Sequence, residues 1–298
     1  MKKASIILSS ALLLGLLAGC GSNNDANKAE PANSAPAATE NSSSTNTSAA
    51  QGQLKDGVYY AQGDVDAKTG WQDYVTLTVS GGKITEAKWN GLSDKAPVDK
   101  VTYSKDGKYG MKAGGASSEW HEQAEKAEQA LVEKQDPKAI TTDKEGKTDA
   151  IAGVSIHVGG FLQLAEKALA AGPVEVGPYK DGTYHAEGDQ FDAKSGWKDT
   201  VDVVIAAGKI VKVNFSGVNA KGEDKKQFSI DGKYGMKAGG AQAEWHEEAA
   251  KAEAYLVEKQ DPASVTFNAE GKTDAISGAT ISLKEYFDLV TKALDQAK

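Results

Sequence analysis

Apolar and polar side chains alternate in two corresponding stretches of the chain. Residues 74–91 read YVTLTVSGGKITEAKWNG, with the alternation broken at Gly81 and Gly82, and residues 199–217 repeat the pattern around a similar break. A period of two on both sides of a glycine turn is typical of an antiparallel hairpin, because successive side chains of a strand point to opposite faces. Each stretch therefore predicts two paired strands.

Each hairpin is followed by two segments in which apolar residues recur every third or fourth position, the spacing of an amphipathic helix. Ser117 or Ser118 is the predicted N-cap of the first helix, and Pro137 lies beyond its end. The predicted apolar stripes are Trp120, Ala124, Ala127 and Leu131 in the first helix, Val158, Leu162, Ala165 and Leu169 in the second, and Leu283, Phe287, Val290 and Leu294 in the last helix of the chain.

The chain also repeats itself at a constant offset. The segment DGKYGMKAGGA at residues 106–116 returns unchanged at 231–241, and EWH, LVEKQDP and GKTDAI recur at the same offset of 125 residues. This offset is too long for a solenoid repeat, so it indicates a duplicated domain. We therefore predict an α+β fold of two tandem domains, each an antiparallel sheet with two helices, over 54–171 and 181–298, joined by a linker at 172–180.

The N-terminal residues have the pattern of an export signal. Two lysines precede an apolar run at residues 4–16 that is too short to span a membrane. The next four residues, LAGC at 17–20, resemble the lipobox of bacterial lipoproteins, which implies a signal peptide at 1–19 and a lipid on Cys20. An ordinary secretory signal with an unmodified cysteine is the alternative. Residues 20–53 are polar and without apolar periodicity, which predicts a disordered, lipid-anchored tether.

Charge and histidine spacing exclude two classes of function. The net charge is −8 and all 34 basic residues are lysines, whereas nucleic-acid-binding surfaces are usually basic and rich in arginine. We expect no nucleic-acid partner. The sequences HEQAE and HEEAA lack the second histidine of a zinc-protease helix. His121 and His246 are therefore expected to lie at the surface or make local hydrogen bonds, and no metal site is predicted.

A short segment of small and hydroxyl-bearing residues precedes the second helix of each copy. It reads TDAISGATIS at residues 273–282 and TDAIAGVSIH at residues 148–157. Two interpretations are open. The segment could hold a phosphate at the free N–H groups and positive end of the helix, with the hydroxyl of Thr280 beside it. It could instead be only a helix N-cap, for which serine and threonine are preferred.

This segment resembles the acceptor motif of the FMN-binding domain family, Asp-x-x-Ser/Thr-Gly-Ala-Ser/Thr. The resemblance implies FMN attached through a phosphoester to the last hydroxyl, by a separate flavin transferase that uses FAD. The second copy matches throughout and the first copy in part, so we predict FMN on Thr280 and on Ser155. The matching residues are Asp274, Ser277, Gly278, Ala279 and Thr280 in the second copy, and Asp149, Gly153 and Ser155 in the first, where Ala152 and Val154 depart from the motif.

The repeated DGKYGMKAGGA loop is the second candidate for contact with the cofactor. Its glycines expose backbone amides, and a lysine near the flavin ring would favour the anionic reduced form. A glycine-rich turn whose side chains simply pack is an equally good interpretation. Trp120 and Trp245 are expected to be core residues. The residues that could line the flavin ring are Tyr109, Met111 and Lys112 in the first copy, and Tyr234, Met236 and Lys237 in the second.

The arrangement of lipobox, polar tether and two such domains resembles surface lipoproteins of the pheromone lipoprotein A type. The resemblance implies a lipid-anchored protein on the extracytoplasmic face of a Gram-positive cell membrane. Its FMN would carry electrons from a membrane quinone or NADH dehydrogenase to extracellular acceptors such as ferric iron. We expect an electron carrier more than an enzyme with its own substrate. The alternatives are a non-redox lipoprotein that binds a wall polymer or small solute, and a flavin-dependent reductase.

Overall fold

The computed structural model describes residues 53–298. The predicted signal peptide at 1–19, the predicted lipidation site Cys20 and all but the last residue of the predicted tether at 20–53 lie outside the described residues. Within 53–298, no helix has the length and apolar character needed to cross a membrane.

Each copy folds as a three-stranded antiparallel sheet with helices, which confirms the predicted α+β class. The strands are adjacent in chain order, β1-β2-β3 and β4-β5-β6. The first copy contains β1 (Gly57–Val65), β2 (Gln72–Ser80), β3 (Lys83–Leu92), α1 (Lys100–Lys105), α2 (Trp120–Lys134) and α3 (Gly159–Ala171). The second contains β4 (Gly182–Glu187), β5 (Trp197–Ala206), β6 (Lys209–Asn219), α4 (Lys225–Ile230), α5 (Trp245–Lys259) and α6 (Lys284–Asp295).

The predicted hairpins are present in both copies. Strands β2 and β3 join through Gly81 and Gly82, whose φ angles of 60° and 73° lie in the left-handed region. Two consecutive residues with positive φ form the tight turn that matches the twist of an antiparallel pair. Ala207 and Gly208 adopt the same conformation between β5 and β6, with φ angles of 49° and 72°.

The prediction of two helices per copy is incomplete, because each copy has a third, six-residue helix, α1 or α4. This helix has no apolar stripe of its own and depends on its N-cap. In α1 the side chain of Asp99 accepts a hydrogen bond from the backbone N–H of Thr102, and Asp224 caps α4 in the same way. Apolar periodicity cannot reveal a helix this short.

The longer helices cover one face of each sheet with the predicted stripes. Helix α2 packs on β3, and α3 packs on β1 and β2. Leu169 is only partly buried, whereas the other eleven predicted stripe residues are buried. The predicted serine cap is wrong. Glu119 caps α2 in a capping box with Glu122. The carboxylate of Glu119 also accepts the backbone N–H groups of Met111 and Lys112 in the preceding loop.

The two copies pack against each other through their sheets. A small apolar cluster joins them, formed by Tyr74, Leu92, Val204 and Ala206. At the edge of this cluster, the ammonium of Lys212 in β6 donates to two backbone carbonyls of the first copy, those of Ser93 and Ala96. Burial lowers the pKa of Lys212 to about 8. Through these contacts between the sheets, the described residues form one compact unit.

Candidate functional site

The two candidate acceptor hydroxyls lie on exposed loops and are not helix caps. Thr280 is exposed, and the N-cap of α6 is Leu283. Ser155 is also exposed, and the N-cap of α3 is Val158. The interpretation of this segment as a serine or threonine N-cap is therefore wrong, since the helix begins after the hydroxyl-bearing residue in each copy.

A turn centred on the motif glycine shapes each loop. The N–H of Ala279 donates to the carbonyl of Ile276 at 3.2 Å, which places Gly278 at the third position of a β-turn with φ 72°. Gly153 has φ 73° in the first copy. The ammonium of Lys251 donates to the carbonyl oxygen of Gly278 at 2.8 Å, so that a side chain at this glycine would collide with it. Glycine is therefore favoured here by its conformation, and a larger residue would also displace the ammonium of Lys251.

Thr280 lies against a carboxylate that is almost fully buried. Glu248, on α5, is 1% exposed. Its Oε1 accepts the hydroxyl of Thr280 at 2.9 Å, and its Oε2 accepts the backbone N–H groups of Thr280 and Ile281 at 2.5 and 3.0 Å. These two amides were expected to be free for a phosphate, and they are not, because the carboxylate already accepts them.

The first copy has a neutral amide at the corresponding position. Gln123, on α2, is also 1% exposed. Its Oε1 accepts the N–H of Ser155 at 2.6 Å, the hydroxyl of Ser155 at 3.2 Å and the N–H of Ile156 at 3.2 Å. The hydrogen-bonding pattern is the same in both copies, and only the second copy has a negative charge there. The difference is visible in the sequence, because Gln123 and Glu248 occupy corresponding positions of the two copies, 125 residues apart.

The positive ends of the following helices also have partners. The N–H groups of Leu283 and Lys284 donate to the carbonyl of Gly271 at 2.8 and 3.1 Å. The corresponding amides of the first copy, those of Val158 and Gly159, donate to the carbonyl of Gly146. The start of each helix therefore anchors the loop, and its amides are not free for a ligand.

A cleft of about 880 Å³ lies beside the acceptor loop of the first copy. Ile156 and His157, the two residues after Ser155, form part of its wall. Most of the remaining apolar wall is aromatic, with a tilted contact of 6.1 Å between the ring centroids of Tyr109 and Trp120. The aromatic and thioether side chains that line the cleft are those of Trp71, Trp89, Tyr109, Met111 and Trp120.

Lys68, Lys100 and Lys167 line this cleft, and Lys112, the lysine predicted from the loop, does not. The ammonium of Lys100 lies 3.0 Å from Asp73 and 4.3 Å from the ring centroid of Trp120. Burial lowers the pKa of Lys100, and the nearby carboxylate of Asp73 opposes this shift. Lys225 has the same position in the second copy, 2.8 Å from Asp199.

The loop residues named from the sequence divide into two groups. Met111 and Tyr109 line the cleft, and Met236 packs at the edge of the second core. Lys112 is not among the residues of the cleft wall, because its ammonium points to Glu122 at 3.1 Å. Lys237 pairs with Glu247 at 2.6 Å in the second copy.

The remaining predicted residues have clear places. Trp120 and Trp245 are core residues, each 3% exposed. The motif residues Asp149, Asp274 and Ser277 are exposed. The histidines make local hydrogen bonds, as predicted: Nδ1 of His121 lies 2.9 Å from the hydroxyl of Ser104, and His246 and Ser229 form the same pair. Among residues 53–298, no group of three or more histidine, cysteine or carboxylate side chains could hold a metal ion.

Comparison with known proteins connects this geometry to a family. No curated protein matches the chain. The solution structure of a protein from Clostridium thermocellum is 56% identical, over 39% of this chain and 91% of that one, with a TM-score of 0.33. A crystal structure of a protein from Clostridium perfringens is 31% identical, over 40% of this chain and 88% of that one, with a TM-score of 0.32. Residues 196–295, which contain Thr280 and Glu248, match the FMN-binding domain. Residues 196–295, which lie in the second copy, therefore belong to the FMN-binding domain family.

Proposed function

We propose that this protein is a lipid-anchored, extracytoplasmic flavoprotein that carries FMN covalently on Thr280 and on Ser155 and passes electrons to external acceptors. The observation that carries the proposal is the exposed hydroxyl of Thr280, held by a buried carboxylate within an FMN-binding domain. An exposed hydroxyl on a constrained loop is accessible to a separate flavin transferase.

Each acceptor loop has a lysine beside it that can pair with a phosphate group. Lys251 brings an ammonium to the carbonyl of Gly278, two residues before Thr280. Lys126 is equally close to the loop of the first copy, since a Cβ added at Gly153 would lie 2.7 Å from its ammonium. A cation at each acceptor loop offsets the negative charge of a phosphodiester.

The cleft of the first copy fits a flavin ring. Its volume of about 880 Å³ is within the usual range for small-molecule sites, and its wall combines four aromatic rings with ten polar or charged residues. Lys100 lies in that wall and is held by Asp73. An ammonium near the ring stabilises negative charge on reduced flavin. When bound, FMN supplies the one- and two-electron redox chemistry, and the protein holds it and tunes it.

The predicted location gives this chemistry a role. A lipid on Cys20 and the tether at 20–53 would keep the flavins near a membrane quinone or NADH dehydrogenase and let them reach acceptors such as ferric iron. Covalent attachment would prevent loss of the cofactor outside the cell. The rival is a lipoprotein that binds a wall polymer or small solute without redox chemistry, and it predicts a colourless protein.

Anaerobic electron transfer tests the proposal. The protein is produced with a flavin transferase, reduced with dithionite, freed of reductant and mixed with ferric citrate. We expect the absorbance of oxidised flavin to return as ferrous iron forms. The matched control is the double variant Ser155→Ala/Thr280→Ala, which should form no ferrous iron. A wild-type protein that is colourless, or whose reduced flavin does not react with ferric iron, would contradict the proposal.

A further inference from the structure

The two copies differ in the one side chain that touches the acceptor hydroxyl. We propose that Glu248 is a catalytic group in flavin attachment that takes the proton of the Thr280 hydroxyl. We further propose that Gln123, which cannot do so, makes Ser155 the slower acceptor. This inference rests on the proposed covalent attachment of FMN.

The hydrogen bonds fix the direction of the proton. An ionised carboxylate only accepts hydrogen bonds, and Oε2 of Glu248 already accepts the backbone N–H groups of Thr280 and Ile281. The contact of 2.9 Å between Oγ1 of Thr280 and Oε1 therefore has the hydroxyl as donor. The hydrogen points to the buried carboxylate, and the oxygen lone pairs are left for an electrophile from the exposed side.

The first copy shows that the fold does not need a charge at this position. Gln123 makes the same three hydrogen bonds with its neutral amide oxygen and is equally buried. Burying a carboxylate costs much more than burying an amide unless a cation compensates it. Within residues 53–298, Glu248 takes part in no salt bridge. The carboxylate of Glu248 is therefore held by hydrogen bonds and not by a cation. The first copy makes the same bonds without a charge, which points to a chemical role for the charge.

The attachment step balances with a flavin dinucleotide, FAD, as the co-reactant presented by the transferase. A bond forms between Oγ1 of Thr280 and the phosphorus on the FMN side of the pyrophosphate. The bond from that phosphorus to the bridging oxygen breaks, and AMP leaves with the electron pair. The proton of the hydroxyl moves to Glu248, and no atom changes oxidation state. The protonated carboxyl then lies uncharged beside the new phosphodiester and can donate a hydrogen bond to it.

Gln123 can hydrogen-bond to the product of attachment, but it cannot remove the proton of the acceptor hydroxyl. Its NH₂ group can donate to a phosphodiester, so the modified form of the first copy is allowed. Its amide oxygen is not a base at neutral pH and cannot remove the proton from Ser155. The difference between the copies is therefore in the rate of attachment and not in whether the product fits.

A reciprocal exchange tests the inference. The purified, flavin-free protein is incubated with FAD and a flavin transferase, and its intact mass is followed with time. In a Ser155→Ala background, which reports only on Thr280, Glu248→Gln should slow attachment about a hundredfold or more, since general-base contributions are typically about 10²–10⁴-fold. In a Thr280→Ala background, which reports only on Ser155, Gln123→Glu should accelerate attachment.

Two controls separate an effect on folding from an effect on flavin attachment. Glu248→Gln reproduces the hydrogen bonds already present in the first copy, and thermal unfolding checks that the variant is folded. Gln123→Glu is expected to increase the rate of attachment, and a misfolded protein would not show such an increase. Unchanged rates for both variants would overturn the inference and leave covalent attachment intact. Absence of flavin from every protein, wild type included, would instead overturn the proposed function and this inference with it.

Discussion

The hydroxyl of Thr280 lies 2.9 Å from Oε1 of Glu248, an almost fully buried carboxylate on the neighbouring helix α5. The same contact in the first copy joins Ser155 to Gln123 at 3.2 Å. The duplicated domain has thus kept the geometry of the acceptor loop and changed the charge behind it. The two candidate flavin sites are alike in shape and differ in chemistry.

The motif glycine of the second copy should be needed for both stability and modification. Gly278→Ala places a side chain at φ 72° and against the ammonium of Lys251. We expect a loss of about 1–2 kcal/mol in the free energy of unfolding from the left-handed conformation alone, together with less FMN on Thr280. Urea unfolding and intact mass measure the two effects.

Gly222→Ala is the matched control for this variant. Gly222 also lies in the second copy with φ 78°, and a Cβ added there meets nothing within 4 Å. It should lose similar stability and keep its FMN. Equal flavin loss in both variants would mean that stability, and not the loop, controls attachment.

The buried lysine of the second copy should contribute strongly to stability. Lys225→Met leaves Asp199 without its ammonium partner, and both side chains of this pair are largely buried. Breaking such a pair from one side costs about 3–5 kcal/mol, because an uncompensated charge stays buried. Urea unfolding should show a loss of this size.

An exposed pair in the same copy provides the comparison. Lys237 and Glu247 are each almost half exposed, so Lys237→Met should cost only about 0–1 kcal/mol. If both variants lost the same small amount, the assignment of Lys225 as a stabilising partner of Asp199 would be wrong.

Glu128 should make the protein less stable as the pH rises. Burial raises the pKa of this carboxyl to about 7, above its value of about 4.3 in an unfolded chain. The folded state therefore binds more protons between these values, and the stability gained below the unfolded pKa is lost as the pH rises to 7. Glu128→Gln keeps the acceptor for the N–H of Trp89, and it should raise the unfolding temperature at pH 8 with little effect at pH 4.5.

The corresponding carboxylate of the second copy should respond in the opposite direction. Glu253 pairs with the ammonium of Lys226 at 2.7 Å, so Glu253→Gln removes an attraction and should lower the unfolding temperature at pH 8.

The size of the Glu128→Gln effect should be about 1–3 kcal/mol. A Glu128→Gln variant less stable than wild type at pH 8 would contradict the raised pKa.

Much of the fold follows from local patterns in the sequence. The hairpins are set by alternation around Gly81-Gly82 and Ala207-Gly208, and the helices by their apolar stripes, because both depend on residues close together in the chain. The same approach missed α1, which is stabilised by the capping side chain of Asp99 rather than by periodicity. It also missed the contact between the two sheets, which depends on pairing across the duplication.

Only the part of the candidate site that is contiguous in sequence, the acceptor segment, could be predicted. The acceptor segment stands out as a motif, but Glu248 is 32 residues away from Thr280 in sequence, on another helix. Lys100 and Lys225 were missed for the same reason, since the aromatic rings and carboxylates around them come from other elements. Lys112 and Lys237 are predicted from the loop as cations near the flavin ring, but their ammonium groups pair with glutamates in the first turn of the next helix.

The central claim is that FMN is bound covalently, with Thr280 as the principal acceptor. Intact mass of the denatured protein, after production with a flavin transferase, tests it most directly. The wild type should carry two FMN groups, and Thr280→Ala and Ser155→Ala should carry one each. A wild-type protein that releases all its flavin on denaturation, or a Thr280→Ala variant that retains two FMN groups, would contradict the claim.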